Sequence, residues 1–201
     1  INKLKINGIH GLTQLDHYTT IKVKCGFRNL YDEIEFLEQI SNQYNSNIKL
    51  IIDLNQAYDL SKAIRFFKEI DHFNIAYVEQ PLNKNNIDDT AELRLHSDIP
   101  IALDESLYSI ETINHALEYN AADIFIIKPQ VFGSFSIIKN VIKIIKSYEK
   151  KVTLTSSLEG SIGRYSTMHL ASSNMIDMCC GLAMENIYIH ENHKFPKINS
   201  G

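Results

Sequence analysis

The chain has 201 residues, 44% apolar and 22% charged, with a formal net charge of −4. That is a globular composition with material for one core, and neither the charge nor any basic run interleaved with aromatics offers a field for nucleic-acid phosphates. No apolar run reaches the roughly 18 residues of a membrane span and the start shows no signal-peptide pattern, so a cytoplasmic location is expected.

Residues 4–9, L-K-I-N-G-I, read as a first strand, and Leu12 to Tyr18 as at most a helical turn. In a second strand over 20–25, Lys22 and Lys24 share one face and Val23 takes the other. Apolar residues at 34, 37, 40 and 44 give a helical period over 31–44. Residues 48–54 form a third strand, and Asp59 is the expected N-cap of a helix over 60–70. The fourth strand, 75–81, is stopped by Pro81, which cannot continue a ladder, and a helix over 86–96 follows. Pro100 opens the fifth strand, 101–106, ahead of a helix over 109–119. The sixth strand, 122–129, closes on Pro129, and Gly133-Ser134 leads into a long helix over 135–148 with a solvated basic face. Residues 152–157 form a seventh strand, followed by a small-residue turn that includes Glu159 and Gly160 and a helix over 162–172. A weakly marked eighth strand, 176–184, precedes a polar end. The expected organisation is one barrel domain over 1–190 and a polar tail over 191–201.

Five of these apolar runs end on a single charged residue, at Lys24, Asp53, Glu79, Asp104 and Lys128, each about one strand-helix unit after the last. Apolar runs without alternation suit strands buried on both faces, hence a parallel sheet covered by helices. A closed parallel barrel brings all strand C-termini to one mouth, so the five charges are expected to converge there.

Asp53, Glu79 and Asp104 at successive strand ends would repel one another without a positive charge between them. An all-oxygen donor set favours a hard divalent cation, Mg²⁺. Lys24, with Lys22 on the same face and a cation nearby, is expected to have its pKa lowered toward that of a general base. Lys128 approaches from the opposite side. Proton abstraction beside a carboxylate creates a dianionic enediolate, which a metal on the carboxylate oxygens stabilises. Against this stands the bland alternative that each acid is a helix cap or a surface charge, which explains one such residue but not a series. A non-catalytic barrel that binds a metal or a partner is a further alternative, though it has no need of paired lysines.

Cys25, Cys179 and Cys180 form no C-x-x-C and read as small buried apolar residues rather than a disulfide or zinc framework. His190 and His193 lack the i, i+4 spacing of a helical zinc motif and fall in the polar end.

The set K-x-K (Lys22, Lys24), D-L-N (Asp53), V-E-Q-P (Glu79), L-D-E-S (Asp104) and I-K-P (Lys128) resembles the barrel domain of the enolase superfamily, muconate-lactonizing subgroup. The resemblance implies a TIM-like (β/α)7β barrel with eight strands and seven helices. Within the subgroup, T-S-S-L-E-G-S-I-G (155–163) and G-L-A-M-E-N (181–186) are similar to the o-succinylbenzoate synthases. That likeness implies dehydration of 2-succinyl-6-hydroxy-2,4-cyclohexadiene-1-carboxylate in menaquinone biosynthesis. Lys24 would remove the proton alpha to the carboxylate and protonate the departing hydroxyl, while Lys128 steadies the enediolate. Asp53, Glu79 and Asp104 would hold Mg²⁺. Ser156, Ser157 and Gly181 would lie near the substrate's succinyl end, with the following helix N-terminus offering amide donors. Asn55 and Glu105 would support the site from behind, Glu105 pairing with Lys22. Superfamily members place an α+β capping domain ahead of the barrel. The Ile1 start and the lack of such a domain here lead to the expectation of a fragment.

The same lysine pair serves racemases of N-acylamino acids and dipeptide epimerases. Epimerases carry Asp-x-Asp at the end of the eighth strand, where this chain reads M-C-C-G-L-A-M-E. The alternative activity is therefore racemisation of N-acylamino acids, or another racemase or cycloisomerase reaction of the subgroup, such as the opening and closing of muconolactones.

Overall fold

In a computed structural model, residues 4–13, 15–44, 47–173 and 176–183 are described. Among these residues seven strands follow one another: β1 (Gly8–Ile9), β2 (Thr20–Lys24), β3 (Lys49–Asp53), β4 (Ile75–Glu79), β5 (Ile101–Leu103), β6 (Ile124–Ile127) and β7 (Lys151–Leu154). They pair in sequence order, and every pair is parallel. The eighth position is filled by residues 177–181. Asp177 N and Gly181 N donate to Val152 O and Leu154 O on one side, while Cys180 N donates to Lys5 O and Asn7 N to Cys180 O on the other. This segment joins the last strand to the first, so the curled sheet closes on itself, as the fold reading anticipated.

The helices are α1 (Leu30–Gln43), α2 (Leu60–Ile70), α3 (Ile87–Arg94), α4 (Ile110–Glu118), α5 (Pro129–Phe132), α6 (Phe135–Ser147) and α7 (Ser161–Ala171). Side-chain caps mark the starts of α1, α2, α4 and α6. Asp59 accepts from Lys62 N at 2.7 Å, Asn29 from Asp32 N at 3.0 Å, and Ser109 and Thr112 form a reciprocal capping box. Phe66, Phe67 and Ile70 on α2 are fully buried against the outer sheet surface. Each contributes roughly 1.5–3 kcal/mol by leaving water, more than helix propensity supplies.

Alternate strand residues face two cores. Ile52, Val78, Leu103, Phe125 and Val152 pack outward with the helices, while Ile51, Tyr77, Ala102, Ile124 and Ile126 fill the barrel interior. Cys25 and Cys180 are buried and Cys179 is partly so, all three as free thiols.

Described residues between Leu12 and Tyr18 make only turns, as the sequence reading allowed. Other elements need adjustment. β1 is two residues long, with Ile6 adding one isolated bridge to Cys180. Among the described residues, the eighth strand is reduced to the bridges of Cys180 and Gly181. Pro129 does not merely end the sixth strand: it starts α5, where its fixed φ suits the first helical position. Among the described residues, no helix is long and apolar enough to cross a membrane. The 191–201 tail, with His193, and His190 lie outside the described residues, as do residues 184–186 of the G-L-A-M-E-N run.

Candidate active site

Three of the five charged residues are register partners. Lys24 stands beside Asp53 across β2 and β3, and Asp53 stands beside Glu79 across β3 and β4. Neighbouring strands carry register partners about 5 Å apart, so the three side chains leave the sheet as a row. Asp104 follows the end of β5 and Lys128 the end of β6. Since β2 and β6 are four positions apart in an eight-membered ring, the two lysines enter the mouth from opposite sides.

Asp53 and Glu79 are each 1% exposed and Asp104 is 7% exposed. Burying carboxylates is costly without countercharge, and the lysines provide it. Lys22 Nζ donates to Glu79 Oε1 at 2.7 Å and to Asp53 Oδ2 at 3.2 Å. Lys24 Nζ donates to the same Asp53 oxygen and to Asn55 Oδ1, both at 2.6 Å. Lys128 Nζ donates to Asp104 Oδ2 at 2.7 Å.

Burial alone would raise the Asp53 carboxyl, but Lys22 and Lys24 outweigh it and hold the group below its usual range. Burial pushes Glu79 up to about 8; the charges of Asp53 and Asp104 add to that shift and Lys22 opposes it. Burial also works against the Lys22 ammonium, yet Glu79 and Asp53 prevail and keep it protonated beyond the ordinary lysine range. Lys22 is thus a largely enclosed counterion to two acids, rather than one of two crowded like charges.

The donor set fits a hard cation. Among the described residues, Asp104 Oδ1 and Glu105 Oε2 are buried and accept no hydrogen bond. Glu79 Oε2 lies 2.7 Å from Lys22 Nζ but accepts no aligned hydrogen bond either. Buried carboxylate oxygens with open lone pairs are the ligands that Mg²⁺ uses. No group of three or more His, Cys, Asp or Glu side chains among the described residues is drawn together in a finished ligand arrangement. Ion pairing holds Asp53 toward Lys22 and Lys24, and Asp104 toward Lys128.

One expectation for the surrounding residues changes. Glu105 does not pair with Lys22; its Oε1 accepts from Asn55 Nδ2 at 2.8 Å, because Lys22 is already spent on Asp53 and Glu79. Asn55 therefore links Lys24 to Glu105. The donors of the loop after β7 are also engaged locally: Ser156 Oγ and Ser157 N both reach Glu159 Oε2, at 2.9 and 2.6 Å. Glu159 belongs to this turn, as expected. Gly181 lies at the barrel seam, where a Cβ would meet Thr155 Oγ1 at 2.4 Å and where its carbonyl accepts from Ser156 N. Sequence reasoning passed over Gln80 and Ser106, which tie the ends of β4 and β5 together. Only the polar pair in E-Q-P and D-E-S could have hinted at them.

Residues 10–196 match the family described as Enolase C-terminal domain-like. An o-succinylbenzoate synthase from Thermobifida fusca is 29% identical over 168 residues, 82% of this chain and 51% of that protein. An N-succinylamino acid racemase from Thermus thermophilus is 30% identical over 152 residues, 76% of this chain and 39% of that protein. The crystal structure of a dipeptide epimerase from Cytophaga hutchinsonii, complexed with Mg and the dipeptide D-Ala-L-Val, superimposes with a TM-score of 0.82 at 20% identity. That superposition covers 94% of this chain and 54% of the epimerase. The chain spans about half the length of the curated relatives it matches. A parallel barrel whose strand ends carry this row of acids and lysines, matched over nearly its whole length, makes the chain a member of the Enolase C-terminal domain-like family, within the enolase superfamily.

Proposed function

We propose that this chain carries the catalytic half of an Mg²⁺-dependent enzyme that removes the proton alpha to a carboxylate, and that its reaction is the o-succinylbenzoate synthase dehydration. The observation that carries the reading is the pair of lysines facing each other across the mouth, each joined to an acid of the Asp53, Glu79 and Asp104 set. Asp53, Glu79 and Asp104 would hold Mg²⁺, which when bound would supply positive charge to stabilise a dianionic enediolate. Lys24 takes the alpha proton from 2-succinyl-6-hydroxy-2,4-cyclohexadiene-1-carboxylate and returns it to the departing hydroxyl, which leaves as water as the ring becomes aromatic. Lys128 faces the other side of the enediolate and offers it an ammonium. Asn55 orients Lys24, and Glu105 orients Asn55. The succinyl arm is assigned to Ser156 and Ser157, which follow β7, and to Gly181 at the seam beside them.

The likeness to the Thermobifida protein supports the dehydration. The likeness to the Thermus racemase supports a second reading, racemisation of N-acylamino acids by the same two lysines. The test is to supply the cyclohexadiene substrate with Mg²⁺ and follow the ultraviolet absorbance of an aromatic product. No aromatic product, together with deuterium entering the alpha position of an N-succinylamino acid in deuterated water, assigns the second reading. Neither reaction, with Mg²⁺ still bound, assigns a non-catalytic barrel.

A further inference from the structure

Gln80 is fully buried between the ends of β4 and β5, and its amide is fully used. Oε1 accepts from Asp104 N at 3.0 Å and from Ser106 N at 3.1 Å. Nε2 donates to Leu82 O at 3.0 Å and to Ser106 Oγ at 2.9 Å. Ser106 Oγ in turn donates to Lys84 O at 2.9 Å. A primary amide has two donors and two acceptor lone pairs, so none remains for another role.

The placement matters because the ladder stops short of the site. β4 and β5 register only Val78 with Ile101 and Glu79 with Ala102, and Gln80 N to Ala102 O at 2.8 Å is the next backbone bond. Asp104 lies beyond it. Its N–H meets the Gln80 side chain instead of a strand carbonyl, so the side chain carries the pairing past the end of the sheet. The backbone of Gln80 has φ 39°, a left-handed conformation that costs a residue with a Cβ, and such strain persists where surrounding bonds over-determine it.

Resting on the Mg²⁺ reading above, the geometry points to Gln80, assisted by Ser106, as a positioning residue that sets the Asp104 carboxylate relative to Glu79 for a shared cation. Mg²⁺ demands near-octahedral ligands at about 2.1 Å, so a loosened Asp104 loses its contribution to binding. Asp53 needs no such device, because sheet register already fixes it beside Glu79.

Calorimetric titration of Mg²⁺ into the 201-residue chain and its variants tests this. Gln80→Gly accepts the positive φ without strain, so it is expected to fold while losing the amide. Its Mg²⁺ affinity is expected to fall roughly 10- to 100-fold, with faster amide exchange at Asp104 and Ser106. Ser106→Ala, which removes one bond of the set, is expected to lose about threefold. The double variant should bind no more weakly than Gln80→Gly, since both changes act through one amide. Unchanged Mg²⁺ affinity in Gln80→Gly, even with a lowered melting temperature, would mean a purely structural role and overturns the inference while leaving the metal reading intact. Fully additive losses in the double variant overturn it too. Failure of the unaltered chain to bind Mg²⁺ overturns the metal reading itself, and this inference with it.

Discussion

Lys22 and Lys24 are two residues apart on one strand face, yet their surroundings give them different work. The Lys22 side chain is 12% exposed and neutralises two buried acids, while the Lys24 side chain is 48% exposed at the mouth. Removing the partner of a buried charge costs about 3–5 kcal/mol, whereas an exposed pair is worth about 0–1 kcal/mol. Lys22→Met is accordingly expected to destabilise the fold by about 3 kcal/mol or more in urea melts. Lys24→Met leaves Asp53 paired with Lys22, so it should cost less stability than Lys22→Met yet lower turnover by roughly 10²- to 10⁴-fold, the usual contribution of a general base. Equal stability loss in both variants would sink this division of roles. Glu79 gives a second prediction. Its ordinary value is 4.5 and burial lifts it to about 8, so across that window the unfolded chain has released a proton that the folded chain retains. Stability then falls as pH rises through the window. Asp53 works in the opposite sense: held below its ordinary value of 3.8, it contributes stability above that pH and loses it as pH falls further. In buffer with EDTA, the melting temperature is expected to decline between about pH 5 and pH 8, and Glu79→Gln should flatten the slope. An identical slope in the variant would show that another group titrates.

At the scale of elements, the loop joining β2 to α1 holds Lys24 in place. Glu33, fully buried, accepts from Gly26 N at 2.9 Å, Arg28 N at 3.1 Å and Arg28 Nη1 at 3.2 Å, so the loop wraps one carboxylate. Gly26 has φ 96° and a Cβ there would meet Ala57 Cβ at 2.4 Å. Gly26→Ala is therefore expected to cost about 1–3 kcal/mol from backbone strain alone, and more from the clash, read as a lower urea midpoint. A neutral result would mean that the loop shifts freely. Little of this was legible in the text of the chain, because Glu33 reads as one acid on an exposed helix start. The strand ends were legible: each apolar run stops on its charged residue, and a strand places that residue by counting. Other non-glycine residues with positive φ stand in the loops after β3 and β7, Asn55 at 40° and Leu158 at 63°. Left-handed loop residues of this kind leave no pattern in sequence, since neither type demands the conformation.

For the whole molecule, the governing quantity is the charge balance of the mouth. Asp53, Glu79 and Asp104 face Lys22, Lys24 and Lys128, and a divalent cation must compete with those ammonium groups for the same oxygens. Mg²⁺ that binds only the folded barrel stabilises it by mass action, about 2.7 kcal/mol at a hundred times its dissociation constant. The melting temperature is thus expected to rise with Mg²⁺, and Asp104→Asn should reduce the rise. No rise in the unaltered chain would count against a cation at these acids. Sequence alone determined the parallel barrel and the identity of the mouth residues, because strand length, strand-helix spacing and the charge ending each run are local properties. Tertiary structure decided which ammonium meets which carboxylate, that Glu105 serves Asn55 and not Lys22, that Gln80 carries Asp104 past the end of the ladder, and that a segment of isolated bridges closes the ring. Those contacts join residues as far apart as Lys22 and Glu79, and they depend on register and side-chain reach, which no local pattern records.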